Sequence, residues 1–247
     1  DGTAIFEQNL PFGSYYIKEL QAPDGFVSSD EIIEVTVSYQ GQDVEVVRLK
    51  EIFKNQPTTV EFRKSDLTTG VELDGATLTV LDKDGNEIDK WTSVKGEPHI
   101  IKRLHVGETY ILREEFAPYG YLKAEEVEFT ITDTAEIQKV EMKDDVPIGR
   151  IIINKKGEFL SEVSWNDMVA GAMDSIWGYV TGSLKDVTFE IYAREDIKAA
   201  DGESDDYYKK DELVATIKTD ELGIARTDDL PLGKYYVVEK ETADGFV

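Results

Sequence analysis

Three glutamates in this chain occupy the same local pattern. Glu19, Glu114 and Glu239 each follow a tyrosine by four residues and precede a glycine by six. Strand alternation puts Tyr15, Ile17 and Glu19 on one face, and does the same for Tyr110, Leu112 and Glu114 and for Tyr235, Val237 and Glu239. Each glutamate therefore shares a face with large apolar side chains, where a carboxyl group requires a partner or a task. Lys64 and Asp144 bracket Glu114 in the chain, with Lys64 on the Val60–Phe62–Lys64 face and Asp144 on the Val140–Met142–Asp144 face. An apolar surrounding favours the neutral forms of an amine and of a carboxylic acid. A neutral ε-amine is a nucleophile, and a protonated glutamic acid can donate to a carbonyl oxygen and shuttle protons. A fold that holds the three groups in contact supplies a large effective molarity. The product is an intramolecular isopeptide bond, formed once per molecule. An aspartate such as Asp144 would lose water, and an asparagine such as Asn55 would lose ammonia.

The elements that position these groups read as short strands. Leu10-Pro11-Phe12-Gly13, Leu104 to Gly107 and Leu230-Pro231-Leu232-Gly233 each make a turn before a Tyr/Ile/Val/Leu-rich strand. Ala22-Pro23-Asp24-Gly25-Phe26, Ala117-Pro118-Tyr119-Gly120-Tyr121 and Asp244-Gly245-Phe246 follow them. The glutamates are spaced by 95 and 125 residues, so the chain is an internal repeat. Further strands are predicted at 58–64, 76–81, 99–103, 126–132 and 138–143, with Asp84-Gly85-Asn86 as a hairpin turn. Others are predicted at 32–37, 44–49, 151–155, 187–192 and 213–217. Many short strands at regular spacing predict an all-β chain of sandwiches. The expected division is residues 1–56 as the later part of one module, 57–147 as a complete module and 148–247 as a module without its last strand. Asn55 to Lys64 is nine residues and Asp144 to Lys155 is eleven, so the linkers are short.

Composition narrows the function. With 51 Asp+Glu against 27 Lys+Arg, the net charge is −24, which excludes nucleic-acid binding through a basic footprint. There is no Cys, hence no disulfide framework and no thiolate chemistry. Two histidines cannot make a multi-histidine metal centre. No apolar run is long enough to span a membrane. Hydrophobic residues at 40% are ordinary for a folded protein.

In the middle unit, Phe62-Arg63-Lys64-Ser65-Asp66, Leu73-Asp74-Gly75-Ala76, Tyr110-Ile111-Leu112-Arg113-Glu114 and Met142-Lys143-Asp144 together resemble the CnaB or SpaA-type (prealbumin-like) repeat domains of Gram-positive surface adhesins and pilins. The resemblance implies tandem Ig-like or transthyretin-like sandwiches. It implies that a first-strand Lys bonds to a last-strand Asn or Asp with help from a Glu: Lys64, Asp144 and Glu114 in the middle module. It also implies Lys155 with Glu239 in the third module, and Glu19 with Asn55 in the first, each lacking one member here. Asp145 and Lys156 are the neighbouring alternatives in register. The third unit departs from the pattern, with Thr242-Ala243 for Ala-Pro and Leu184-Lys185-Asp186-Val187 for Leu-x-Gly-Ala. The implied role is a structural stalk, extracellular and attached to the cell wall, with no enzymatic turnover and no cofactor. Its implied partners are neighbouring repeats and, as the alternative, a host surface protein or glycan; an accessory module of a secreted enzyme is a third reading.

Other features read more plainly. Asp82/Asp84/Asn86 and Glu203/Asp205/Asp206 carry oxygen ligands but match no defined calcium loop, and read as solvated turns. No nucleophile or second base accompanies His99 or His105. The Leu-Pro-x-Gly strings precede strands and read as turns. Residues 163–180 place Trp165, Met168, Val169, Ala172, Met173, Ile176 and Val180 at helical spacing, which predicts a short helix or loop inserted in the third module and packed on it. Asp1 at the start and a turn at Asp244-Gly245 near the end are expected for a piece of a longer chain.

Overall fold

The computed structural model describes residues 2–165 and 175–246, and it is all β: 18 strands and no helix among the described residues. Accordingly, no helix there is long and apolar enough to cross a membrane. The chain divides into two compact units, one of residues 1–118 and 123–144, the other of 119–122 and 145–247.

The first unit begins with an antiparallel pair, β1 (Gly13–Lys18) and β2 (Ile32–Val37). Seven strands follow: β3 (Thr59–Asp66), β4 (Thr77–Leu81), β5 (Glu87–Thr92), β6 (His99–Lys102), β7 (Thr109–Phe116), β8 (Val127–Thr130) and β9 (Gln138–Asp144). They form a three-stranded sheet, β6-β3-β9, and a four-stranded sheet, β5-β4-β7-β8. The core between them contains Val60, Phe62, Leu78, Val80, Leu112, Val140 and Met142. Phe62 sits in an aromatic cluster, with ring centroids 5.4 Å from both Trp91 and Phe129. The strands follow the period of two: Val60, Phe62 and Lys64 are buried in β3, Tyr110, Leu112 and Glu114 in β7, and Val140, Met142 and Asp144 in β9.

The first and last strands of this sandwich, β3 and β9, are parallel neighbours, with Lys64 opposite Met142 and Asp66 opposite Asp144. Parallel neighbours need a long crossover, and here everything from β4 to β8 lies between them. Residues 44–49, expected as a strand, form none. Val44, Val46 and Leu49 are exposed, and no strand pairs with them among the described residues.

The second unit contains β10 (Ile148–Gly149), β11 (Ile152–Asn154), β12 (Lys156–Trp165), β13 (Ser175–Ser183), β14 (Thr188–Ala193), β15 (Leu213–Lys218), β16 (Ile224–Arg226), β17 (Leu230–Pro231) and β18 (Tyr235–Glu241). Its largest sheet is β15-β14-β18, and β11 pairs with β16. Leu184, Val187 and Phe189 form a small core, against which Ile153, Ile217, Ala243 and Phe246 pack. The predicted helix over 163–180 is overturned where it is described: Val163–Trp165 and Ser175–Val180 belong to a long antiparallel hairpin, β12 with β13. Leu160 lies opposite Tyr179, an aliphatic–aromatic pair that suits a strand ladder. The rest of that expectation, including Met168, Val169, Ala172 and Met173, lies outside the described residues.

Candidate functional site

The face alternation of three strands brings Lys64, Glu114 and Asp144 to one point inside the first unit. All three are buried, with side chains wholly screened from solvent. Lys64 Nζ lies 3.0 Å from Glu114 Oε1 and makes a shorter contact still with Asp144 Oδ1. The backbone N–H of Ala124 donates to Glu114 Oε2 at 2.7 Å. Apart from the Lys64 ion pair, Glu114 Oε1 and Asp144 Oδ2 are buried without a regular hydrogen-bond donor, and the two carboxyls interact with one another. Burial pushes the Asp144 carboxyl up to about 6, against the pull of Lys64; neighbouring Glu114 raises it further. The neutral acid is thus within reach near neutral pH. Asp145, the neighbouring register alternative, is exposed, and so is Lys156.

Two partial versions of this arrangement exist. In the first part of the chain, Asn55 Nδ2 donates to Glu19 Oε2 at 2.7 Å and to the Val27 carbonyl at 3.1 Å. Ser29 N–H also donates to Glu19 Oε2, at 3.1 Å. Ser29 is ten residues after Glu19, as Ala124 is ten after Glu114. The backbone repeats the likeness: Val27 N–H donates to the Gln56 carbonyl, and Leu122 N–H to the Asp145 carbonyl, each at 2.8 Å. Asn55 therefore holds the place of Asp144. In the second unit Lys155, just after β11, meets Glu239 on β18, with Nζ 2.7 Å from Oε2. This pair is only partly covered, with side chains 27% and 31% exposed. Among the described residues no Asp or Asn side chain is paired with them. The amides of Ala124 and Ser29 were not signalled in the sequence, because a backbone donor leaves no mark on side-chain pattern.

The repeat is also visible in the turns. Tyr15 Oη donates to the Pro11 carbonyl at 2.8 Å, and Tyr235 Oη to the Pro231 carbonyl at 2.7 Å. In the middle copy His105 N–H donates to Tyr110 Oη at 3.1 Å. The sequence profile of the SpaA prealbumin-like fold domain matches residues 1–51, 58–146 and 179–247. The chain belongs to the SpaA family.

Among solved structures, this SpaA chain is similar to the TIE protein of Bacillus anthracis, at 26% identity over 95% of this chain and 37% of that one, with a TM-score of 0.48. It is similar to a streptococcal ancillary pilin at 16% identity, over 96% of this chain and 69% of that one, with a TM-score of 0.33. It is also similar to BcpA, the major pilin subunit of Bacillus cereus, at 12% identity, over 74% of this chain and 87% of that one, with a TM-score of 0.33. The chain thus spans about a third of the TIE protein's length. No curated protein matches it. Residues 147–178, which contain most of the β12–β13 hairpin, fall outside the SpaA matches.

The remaining side chains noted in the SpaA sequence have local partners. Asp82 accepts from the N–H groups of Asp84 and Asn86 and from Asn86 Nδ2, and these bonds hold its carboxyl below the usual range. Asp201 accepts from Glu203 N–H and Ser204 N–H in the second acidic turn. Among the described residues no group of three acidic or histidine side chains is placed to hold a metal. His99 stacks on Trp91, with centroids 4.1 Å apart, and its Nε2 lies 2.8 Å from Asp89 Oδ2.

Proposed function

We propose that this chain is a structural segment of a cell-wall-attached surface protein, an adhesin or pilin-like stalk, whose modules lock themselves with intramolecular isopeptide bonds. The observation that carries this reading is the buried contact of Lys64 with Asp144 beside Glu114, because it joins the first strand of a sandwich to its last. The ammonium of Lys64 and the carboxylate of Asp144 together contain the atoms of one amide and one water. Lys64 Nζ, once neutral, attacks Asp144 Cγ. Glu114 takes protons from nitrogen and passes them to the departing oxygen, and ends in the protonation state in which it began. The apolar core excludes bulk water from the new bond.

The topology supports a load-bearing role. The chain enters the sandwich at the start of β3 and leaves at the end of β9, so a pull on the two ends shears a parallel strand pair. A bond from Lys64 to Asp144 carries that load past the 80 residues of sequence separating them. Closing such a loop stabilises by about 4–5 kcal/mol, as for a disulfide of similar span. In this reading residues 57–147 are the complete module, with parts of two others on either side. In this reading Asn55 and Glu19 belong to a second such site, and Lys155 and Glu239 to a third. The chemistry is single-turnover self-crosslinking. Pulling single molecules by their ends tests the mechanical claim. The middle module should release only the few residues outside the Lys64–Asp144 loop, whereas Lys64→Ala should release its full length; equal release from both chains overturns it.

A second reading has one observation in its favour. The β12–β13 hairpin, most of which lies outside the SpaA matches, exposes Leu160 at 50%, and just inside the third match Tyr179 and Val180 at 61% and 52%. Exposed aromatic and aliphatic side chains on a projecting ribbon suit recognition of a host protein or glycan. Binding to host-cell extracellular matrix that vanishes on deleting 158–181 would favour it.

A further inference from the structure

We infer that the backbone N–H of Ala124 is a positioning group for the crosslinking reaction: it pins one oxygen of Glu114 so that the other serves Lys64 and Asp144. The inference rests on the self-crosslinking reading above.

A glutamate side chain has free torsions, and a buried one with a single lysine partner could turn either oxygen to it. Here the choice is made. Oε2 accepts the Ala124 N–H at 2.7 Å, a charge-assisted bond when Glu114 is ionised. Oε1 is left 3.0 Å from Lys64 Nζ, without another regular hydrogen-bond donor. Asp144 Oδ2 is the second oxygen of the cluster without such a donor. The proton to be relayed therefore belongs on Oε1, between the amine that gives it up and the carboxyl that loses an oxygen. An N–H can only donate, so Oε2 remains an acceptor throughout, and the relay is confined to one atom.

The same device appears a second time. Ser29 N–H donates to Glu19 Oε2 at 3.1 Å, at the same ten-residue offset and beside Asn55. Ala124 and Ser29 differ in side chain but share the amide, which is what a backbone role requires. The offset spans the Ala-Pro-x-Gly turn in both copies, from Ala22 to Gly25 and from Ala117 to Gly120. That turn reverses the chain after the glutamate strand and brings the donor back to it. It thereby has a task in the reaction as well as in the fold.

The test deletes the N–H and leaves every side chain in place. In the full chain, lactic acid in place of Ala124 turns that amide into an ester. Cell-free synthesis, quenched in denaturant at successive times, gives the fraction one water lighter by intact mass. The ester chain should lose its water about tenfold more slowly than the parent, the scale of one charge-assisted hydrogen bond in a barrier. Ala124→Ser, which keeps the N–H, should match the parent. Ala124→Pro removes the same donor by another route and should also be slow; near-ultraviolet circular dichroism of each variant combined with Lys64→Ala shows whether the fold is retained. An ester or proline chain that crosslinks at the parent's rate overturns the inference, as does an Ala124→Ser chain slowed as much as the ester. A parent that loses no water at all overturns the crosslinking reading itself, and this inference with it.

Discussion

Lys64 lies in β3 and Lys155 just after β11, and both meet glutamates of the same repeat, yet their surroundings differ. Lys64 is enclosed between two sheets and touches both Glu114 and Asp144. Lys155 reaches Glu239 at 2.7 Å in a half-open setting. The cause is the number of strands around each pair. β7, which carries Glu114, lies between β4 and β8, and β9 lies beside β3. β18, which carries Glu239, pairs only with β14, and β11 only with β16. Pairing registers extend the contrast: Trp91 lies opposite Leu78, whereas Ile217 lies opposite Phe189. Trp91 stacks on His99 and packs against Phe62 in the first unit. One lysine–glutamate pair is thus enclosed with an aspartate, as the proposed reaction requires, and the other is a partly exposed ion pair. β9 makes the difference, because it carries Asp144 and lies beside the strand of Lys64.

The sharpest way to break this comparison is to remove each lysine in turn. Lys64→Ala should lower stability by about 4–5 kcal/mol through loss of loop closure, with a further cost for the buried carboxyls it strands. Lys155→Ala should cost under about 1 kcal/mol, as for a partly exposed ion pair. Urea unfolding followed separately for the two units would decide it, and equal losses would end the distinction.

A pH series sharpens the contrast further. With Lys64 gone, the buried Asp144 loses the group that pulls its carboxyl down, so its value should exceed the about 6 of the parent site. A carboxyl raised on folding binds more protons folded than unfolded, so stability falls as pH rises between its unfolded and folded values. Lys64→Ala should therefore melt higher at pH 5 than at pH 7, and adding Asp144→Asn should flatten that dependence. Lys155→Ala, which exposes no buried acid, should not show this rise. The smallest effects belong to the neighbours in register: Asp145→Ala and Lys156→Ala remove exposed groups and should change stability by under about 0.5 kcal/mol.

Much of the site was legible because strands have a period of two. Val60, Phe62 and Lys64 declare one face, and Tyr110, Leu112 and Glu114 another, so charged residues in phase with apolar ones stood out. The all-β character follows from the same pattern, and the SpaA fold from the resemblance carried by the motifs around Lys64, Glu114 and Asp144. The hairpin did not, because Trp165, Ile176 and Val180 fit helical spacing across a window that is also rich in β-branched and aromatic residues. Residues 44–49 alternate like a strand, but a strand exists only where a neighbour takes up its backbone groups. The enclosure of Lys64 against the exposure of Lys155 depends on neighbours far away in sequence, so two similar motifs read alike. The bond from Ala124 to Glu114 depends on a backbone amide, which has no residue type.

The central claim is a covalent bond between Lys64 and Asp144, and intact mass reads it directly. The folded chain, purified and then fully denatured, should be one water lighter than its sequence, whereas Lys64→Ala should have its full calculated mass. Asp144→Asn should lose ammonia instead and so arrive at the same mass as the crosslinked parent. A parent at its full calculated mass, or a deficit that survives Lys64→Ala, would contradict the account.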